Sequence, residues 1–259
     1  MRKLEIRVTV AAAMLVAGCG GDTAAVTSTT SPTTTTQVPN TTTTEPPTTT
    51  TTEALPAPPT VDELAAMIVL ESGFFGPDWD EVPQTESDFS YAVVEGCAFV
   101  DTLNDADGNL AEAKSPQFSQ ADTGIEHDVR VYATTEDAID VVVAWAQDPA
   151  LECTLEGART QAQESLDRGE LAPFTGVDFD ITRYDDLVGE PRVTNFEVMT
   201  TLSSSEQEAV IFVDIYFVQY GRFVSRVEVT SPDTLWSQTD QLLDAVLDRM
   251  HAADTADAG

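Results

Sequence analysis

Between Thr23 and Thr60 the chain is mostly threonine and proline, with runs at Thr33–Thr36, Thr41–Thr44 and Thr48–Thr52. Half of its prolines lie between Pro32 and Pro59. Such a stretch has almost no apolar surface to bury, so it cannot offset its ordering entropy and is expected to stay extended. Folding is thereby confined to the residues beyond Thr60. The tract reaches about 120 Å if fully polyproline-like, or about 35 Å as a flexible coil, which suits a stalk that lifts a domain off a surface. Threonine-rich stalks with proline are also frequent O-glycosylation targets. Asn40-Thr41-Thr42 fits an N-glycosylation sequon.

The residues before the stalk are equally specialised. Arg2, Lys3 and Arg7 stand before an apolar run from Val8 to Ala17, closed by Gly18 and Cys19. A basic start, a short apolar core and small residues at its end make a secretory signal, too short for a spanning helix. The closing Val16-Ala17-Gly18-Cys19 resembles the lipobox of bacterial lipoproteins, which is cut before the cysteine. The resemblance implies that Cys19 becomes the lipidated first residue of the mature chain, a palmitate-bearing anchor to the outer face of the membrane. An ordinary signal peptide with a chance cysteine is the competing reading. The expected organisation is a signal peptide over 1–18, a lipidated Cys19 and disordered stalk over 19–60, one folded domain over 61–252, and a disordered tail over 253–259.

Three cysteines are an odd number for an exported protein. If Cys19 carries lipid, Cys97 and Cys153 remain as one pair in an oxidising compartment, and a single disulfide is expected. Two free buried thiols are the alternative.

Charge narrows the partners. The 259 residues carry 12 Lys and Arg against 45 Asp and Glu, a net charge of −33. A phosphate backbone needs a basic footprint, and the only lysines are Lys3 and Lys114, so nucleic acid is excluded as an electrostatic partner. All three basic residues before Lys114 belong to the signal, and the stalk holds only Asp22, Glu45 and Glu53, so the domain carries nearly the whole acidic excess. Two histidines, His127 and His251, leave little room for a histidine-rich metal site and read as ordinary polar residues.

No catalytic constellation stands out. A Ser-His-Asp arrangement needs a histidine near a nucleophile, and neither histidine is so placed. With so many carboxylates, some pairing is unavoidable by chance, so a two-carboxylate hydrolase has no specific signal. Asp78, Asp80 and Glu81 flank Trp79, a combination seen in sugar sites but read here as a plain loop. Asn104-Asp105-Ala106-Asp107-Gly108-Asn109 looks like a calcium loop until it is registered. Gly108 at the required sixth position puts Leu103 at the first ligand position and Lys114 at the twelfth. A β-turn is expected there, with opportunistic divalent binding as the alternative. Cys97 and Cys153 are far apart with no CxxC, which leaves no zinc or thioredoxin-like motif. No metal, cofactor or catalytic residue is expected.

The domain reads as α+β, a mostly antiparallel sheet with helices packed on it. Thr60 and Glu63 form a capping box for a first helix carrying Leu64, Met67, Ile68 and Leu70 and ended by Gly73. Strands are expected at Ser90–Val94, near Leu110–Phe118 and at Asp128–Ala133. Thr134 and Thr135 cap a helix over about 136–147, and Pro149 opens another. Strands come next at Val177–Tyr184, Arg192–Leu202, Ala209–Tyr220 and Arg222–Thr230. Pro232 and Asp233 start a closing helix with Leu235, Thr239, Leu242, Leu243, Val246 and Met250 on one stripe, fraying from about Ala252. The last hairpin is expected to turn through Gln219-Tyr220-Gly221, with Val218 facing Arg222 and Asp214 facing Arg226. That register gathers Ile211, Val213, Ile215 and Phe217 with Phe223, Val227 and Val229 on a single face.

The order of these pieces resembles the extracellular sensor domain of PknH-type receptor kinases and its stand-alone lipoprotein relatives in actinobacteria. A short helix leads to Gly76-Pro77-Asp78-Trp79, Cys97 comes after the next strand, and a strand runs into a helix at Val131-Tyr132-Ala133-Thr134-Thr135-Glu136-Asp137-Ala138 before Cys153. Val188-Gly189-Glu190 looks like the family's Gly-Asp/Glu turn, and Tyr220-Gly221-Arg222 like its Arg-Gly-Arg hairpin. The match covers most of 61–252. It implies an α+β domain with a cleft over the sheet that binds an unidentified envelope or extracellular ligand, without known catalysis. The family pattern often has two disulfides, whereas this chain has cysteines for one.

Three functions compete. The first is a lipid-anchored binding or sensor-like module of the cell envelope, held to the membrane through Cys19 and facing an unknown envelope ligand. The second is a docking or scaffold module for a protein partner. The third is an envelope hydrolase using two carboxylates.

Overall fold

A computed structural model describes residues 58–84, 90–105, 108–232 and 238–258. The signal, Cys19, the stalk up to residue 57 and most of the calcium-like loop at 104–109 lie outside the described residues or side chains. The element order is α1 (Val61–Ile68), β1 (Asp80–Val82), a 3-10 turn (Tyr91–Val93), α2 (Ala98–Asp105), β2 (Asn109–Lys114), β3 (Gln117–Gln120) and β4 (Thr123–Tyr132). Then come α3 (Thr135–Trp145), α4 (Asp148–Asp167), β5 (Gly176–Asp186), β6 (Arg192–Ser203), β7 (Glu208–Tyr220), β8 (Phe223–Ser231) and α5 (Thr239–Asp257). The strands make one antiparallel sheet in the order β1-β3-β4-β8-β7-β6-β5, with β2 also paired to β4. The α+β class expected from the sequence is the observed one.

Local signals start α1, α3 and α4 where the sequence placed them. The closing helix, expected from Pro232 and Asp233, begins instead at Thr239, and residues 233–237 with Leu235 lie outside the described residues. The Thr60 hydroxyl accepts from the Glu63 amide and the Glu63 carboxylate accepts from the Thr60 amide, closing the capping box. Thr134 and Asp137 do the same for α3, and Pro149 occupies the first turn of α4. The first helix ends earlier than expected, at Ile68. Its buried face is Leu64, Ala65 and Ile68, while Met67 is exposed. The segment expected as a strand at Ser90–Val94 is instead the 3-10 turn. Asp101 accepts from the Tyr91 and Ala92 amides at 2.8 and 3.1 Å and from the Ser90 hydroxyl at 2.7 Å, and these local bonds replace a ladder.

Helices cover both faces of the sheet. On one side α2, α3 and α4 bury Val100, Ala138, Val142, Trp145, Ala158 and Ala162 against Phe196, Val213, Ile215 and Phe217. Trp145 stacks on Phe217 with ring centroids 4.5 Å apart. On the other, α1 and α5 bury Leu64, Ile68, Leu242, Val246 and Met250 against Ile125, Val129, Phe223, Val227 and Val229. Cys97 and Cys153 form a disulfide with Cα atoms 5.4 Å apart.

This double covering corrects the expected hairpin register. The loop is the two-residue Gly221-Arg222, with Tyr220 facing Phe223, Val218 facing Ser225 and Asp214 facing Val229. Gly221 has φ +54°, as a two-residue turn with glycine at its first central position requires. The shift from the expected pairing is an odd number of residues, so the faces exchange partners: Ile215 lies opposite Glu228 and Phe217 opposite Arg226. Gathering the apolar residues on one face assumed one wet face, and this hairpin has none. The tail is corrected too. The closing helix runs on to Asp257, with Ala253 buried and the Asp257 carboxylate held by Arg222 at 2.6 and 2.7 Å.

Candidate functional site

The segment over residues 90–105 carries most of what distinguishes this domain from bare scaffold. It is fastened at four points. Asp101 caps its own start, Cys97 is bonded to Cys153 of α4, the Tyr91 hydroxyl hydrogen-bonds with Thr154 beside that cysteine, and the Leu103 carbonyl accepts from Arg130 of β4 at 3.2 Å. Between this segment and α4 lies a depression of about 430 Å³. The disulfide lines it, along with Val94, Phe99, Pro149 and Leu155, and Glu95, Glu152, Glu156 and Arg159 are charged members of the wall. Arg159 and Glu156 pair at 3.6 Å. The depression is formed by helices and the 90–105 segment, not on the bare sheet where the cleft was expected.

Beneath Tyr91 the sheet presents charge where a core is usually apolar. Glu126 and Asp128 of β4 lie directly opposite Glu228 and Arg226 of β8. Glu126 is 6% exposed and Glu228 2%. The Arg226 guanidinium reaches Asp128 at 3.2 Å and also bonds Glu228. Burial works against the Arg226 charge, but Glu228, Asp128 and Glu126 outweigh it and hold its pKa above the ordinary value. Burial first, and then the Glu228 charge, push Glu126 up to about 8, with Arg226 pulling the other way. Burial likewise raises Glu228 against the pull of Arg226. Tyr91 is pushed up to about 12, chiefly by burial. Lys114 and Arg130 are turned to Glu112, at 3.9 and 3.7 Å.

The opposite face holds the second unexpected group. His127, read from the sequence as an ordinary polar residue, is fully buried under α1. Its Nδ1 accepts from the Leu70 amide at 3.2 Å and its Nε2 lies 3.2 Å from the Ser225 hydroxyl. His251 packs its ring on Tyr220, centroids 3.9 Å apart. The Asp78–Glu81 segment is a clasp: Trp79 stacks on Phe75, and the Glu81 carboxylate accepts from the Ser72 hydroxyl and the Gly73 amide. Asp214, expected opposite Arg226, is buried near Glu197; burial, then that charge, raise its pKa to about 6.

Among the described residues no group of three or more His, Cys, Asp or Glu is arranged to hold a metal ion, and no helix is long and apolar enough to cross a membrane. The structure joins Cys97 to Cys153; it also assembles Glu126, Asp128, Arg226 and Glu228, which sequence reasoning passed over. Their signal was present as charged residues at alternate positions of two strands, Glu126 and Asp128 in one and Arg226 and Glu228 in the other. It was unreadable without the pairing of those strands.

No known protein family matches the chain, and no curated protein does. Among solved structures, it is similar to the crystal structure of the extracellular domain of PknH from Mycobacterium tuberculosis. That likeness has a TM-score of 0.38 at 13% identity, and covers 76% of this chain and 98% of that one.

Proposed function

We propose that this chain is a lipid-anchored, extracytoplasmic binding or sensor-like lipoprotein of the bacterial cell envelope, without catalysis. The observation that carries the reading is the Cys97–Cys153 disulfide. It pairs the two cysteines left when Cys19 is set aside for lipid, as an oxidising compartment favours. The same bond lines the 430 Å³ depression, within the size range of small-molecule sites. Palmitate labelling of wild type and Cys19→Ala tests the anchor. Label and membrane retention lost in the variant are expected, and retention unchanged overturns it. A screen of cell-wall fragments and lipid headgroups by amide NMR tests the depression. Shifts centred on Val94, Phe99 and Leu155 are expected from a true ligand, and shifts elsewhere in the domain count against this site.

A docking role is favoured by one other observation. The terminal strand β5 leaves Tyr184 exposed, and Val188 in the turn after it is 89% exposed. Such an edge offers a partner unpaired backbone groups and apolar contacts. The hydrolase alternative needs two carboxylates facing a cleft. Glu126 and Glu228 face each other, but both are buried, which favours a role inside the fold over one toward substrate.

A further inference from the structure

We propose that Glu126 and Glu228 form a proton-binding site that couples external pH to the packing of the 90–105 segment. The geometry sets the requirement. Three carboxylates, Glu126, Asp128 and Glu228, share one guanidinium, and Arg226 is already engaged by Asp128 and Glu228. Like charges directly opposite each other on paired strands repel, and burial removes the water that would screen them. A proton on one of the pair removes that repulsion. It also supplies a donor for Glu228 Oε1, a buried oxygen that otherwise has no hydrogen-bond partner. The raised pKa of Glu126, about 8, agrees with a site that holds its proton at neutral pH.

The groups facing this pair come from several elements. From β2, Lys114 attracts Glu126 but is shared with Glu112. From β4, Arg130 is taken up by Glu112 and the Leu103 carbonyl. From the 3-10 turn, Tyr91 lies over Arg226 and Glu228, and Asp101 of α2 adds a further negative charge near it. Deprotonation therefore leaves an uncompensated negative charge in the carboxylate cluster around Arg226, whose Glu228 and Arg226 act directly on Tyr91. That ring anchors the segment bearing Cys97, Val94 and Phe99, one wall of the depression. Loss of the proton loosens this wall, while the disulfide keeps it tethered. The coupling stands whether or not the depression takes a ligand.

Infrared spectroscopy of the full chain, with Glu126→Gln and Glu228→Gln beside it, tests the site. At neutral pH the wild type is expected to show a protonated-carboxyl band that disappears in both variants. Absence of the band in wild type overturns the proposal, as does its persistence in both variants. Denaturation adds a second readout. A native state holding one proton more than the unfolded chain loses up to about tenfold in folding equilibrium constant per pH unit between about pH 6.5 and 8. Glu126→Gln is expected to flatten that slope, and an unchanged slope counts against the assignment. Hydrogen exchange of residues 90–105, corrected for its intrinsic pH dependence, reads the coupling. Protection that falls above about pH 8 in wild type alone is expected, and protection unaltered across that range overturns the link to the segment.

Discussion

His127 Nε2 lies 3.2 Å from the Ser225 hydroxyl, while Nδ1 of the same ring accepts the Leu70 amide proton. A ring whose Nδ1 accepts carries its proton on Nε2, so His127 is a neutral donor to Ser225. It ties the chain leaving α1 to the middle of the sheet. Replacing it with alanine removes ring volume from a closed core and strands the Leu70 amide, at a cost of about 2–4 kcal/mol. Urea denaturation of His127→Ala against wild type reads this directly, and a loss near zero would contradict the bridge.

The same ring makes a pH prediction. Burial lowers His127 to about 4, the Asp128 charge opposing and Arg249 assisting. An unfolded histidine titrates near its ordinary value, so between about pH 4 and 6.5 the unfolded chain binds the extra proton and stability rises with pH. Glu126 has the opposite sign. Its raised pKa makes stability fall as pH rises from its unfolded value toward about 8. The two slopes oppose each other in mild acid, and only the glutamate slope remains above about pH 6.5. Stability measured across this range is therefore expected to steepen downward above neutrality, and the acid limb alone to change in His127→Ala.

The disulfide closes a sequence separation of 56 residues between Cys97 and Cys153. By the loop-entropy relation its removal costs about 4 kcal/mol. The local effect is larger in the 90–105 segment, whose remaining ties are Tyr91, Asp101 and the Leu103 carbonyl. A Cys97→Ala/Cys153→Ala chain is expected to lose hydrogen-exchange protection there first. Uniform loss across the sheet would mean that the segment is held by something other than this bond.

Much of this architecture is legible in the chain, and the exceptions share a cause. Capping boxes at Thr60 and Thr134, Pro149 and the β-branched runs of β5 to β8 are local signals, and each placed its element. The hairpin register, the turn at Tyr91 and α2 depend on what covers them. Alternation in β7 favours one register only if one of its faces meets solvent, and Tyr216 and Phe217 are both buried. The Tyr91 turn depends on a carboxylate ten residues further on. The candidate site divides the same way. Cysteine counting singled out Cys97 and Cys153, but nothing local announces that Glu126 lies opposite Glu228, because that is set by the pairing of β4 with β8.

The end of the chain offers a direct check on one corrected element. Residues beyond Ala252 continue α5, bury Ala253 and hold Arg222 through Asp257. Arg222 in turn donates to the Tyr132 carbonyl at 3.0 Å, so the last turn of the helix fastens the β7–β8 loop to the end of β4. A chain ending at Ala252 is expected to lose about 1–3 kcal/mol of stability, from lost apolar burial and a lost two-point ion pair. An unchanged denaturation midpoint would make these residues a passive tail.

The acidic excess sets the last expectation. Net charge is −33 over 259 residues, and almost all of it falls in the folded domain. The few cations are already engaged: Arg168 with Glu164 and Glu170, Arg183 with Asp148 and Asp185, Arg222 with Asp257 and Arg226 inside the sheet. Most surface carboxylates therefore see like charges across short distances, and this repulsion favours expansion of the chain. Salt shortens the range of that repulsion, to about 3 Å at 1 M from about 30 Å at 0.01 M, and so stabilises the compact state. It weakens exposed ion pairs as well, but those contribute little each, so the repulsive effect dominates. The melting temperature is expected to rise steadily with sodium chloride, and further at equal ionic strength with a divalent chloride if carboxylates also bind the cation. Melting that stays flat from low to high ionic strength would show that the surface charges are spaced widely enough not to oppose folding.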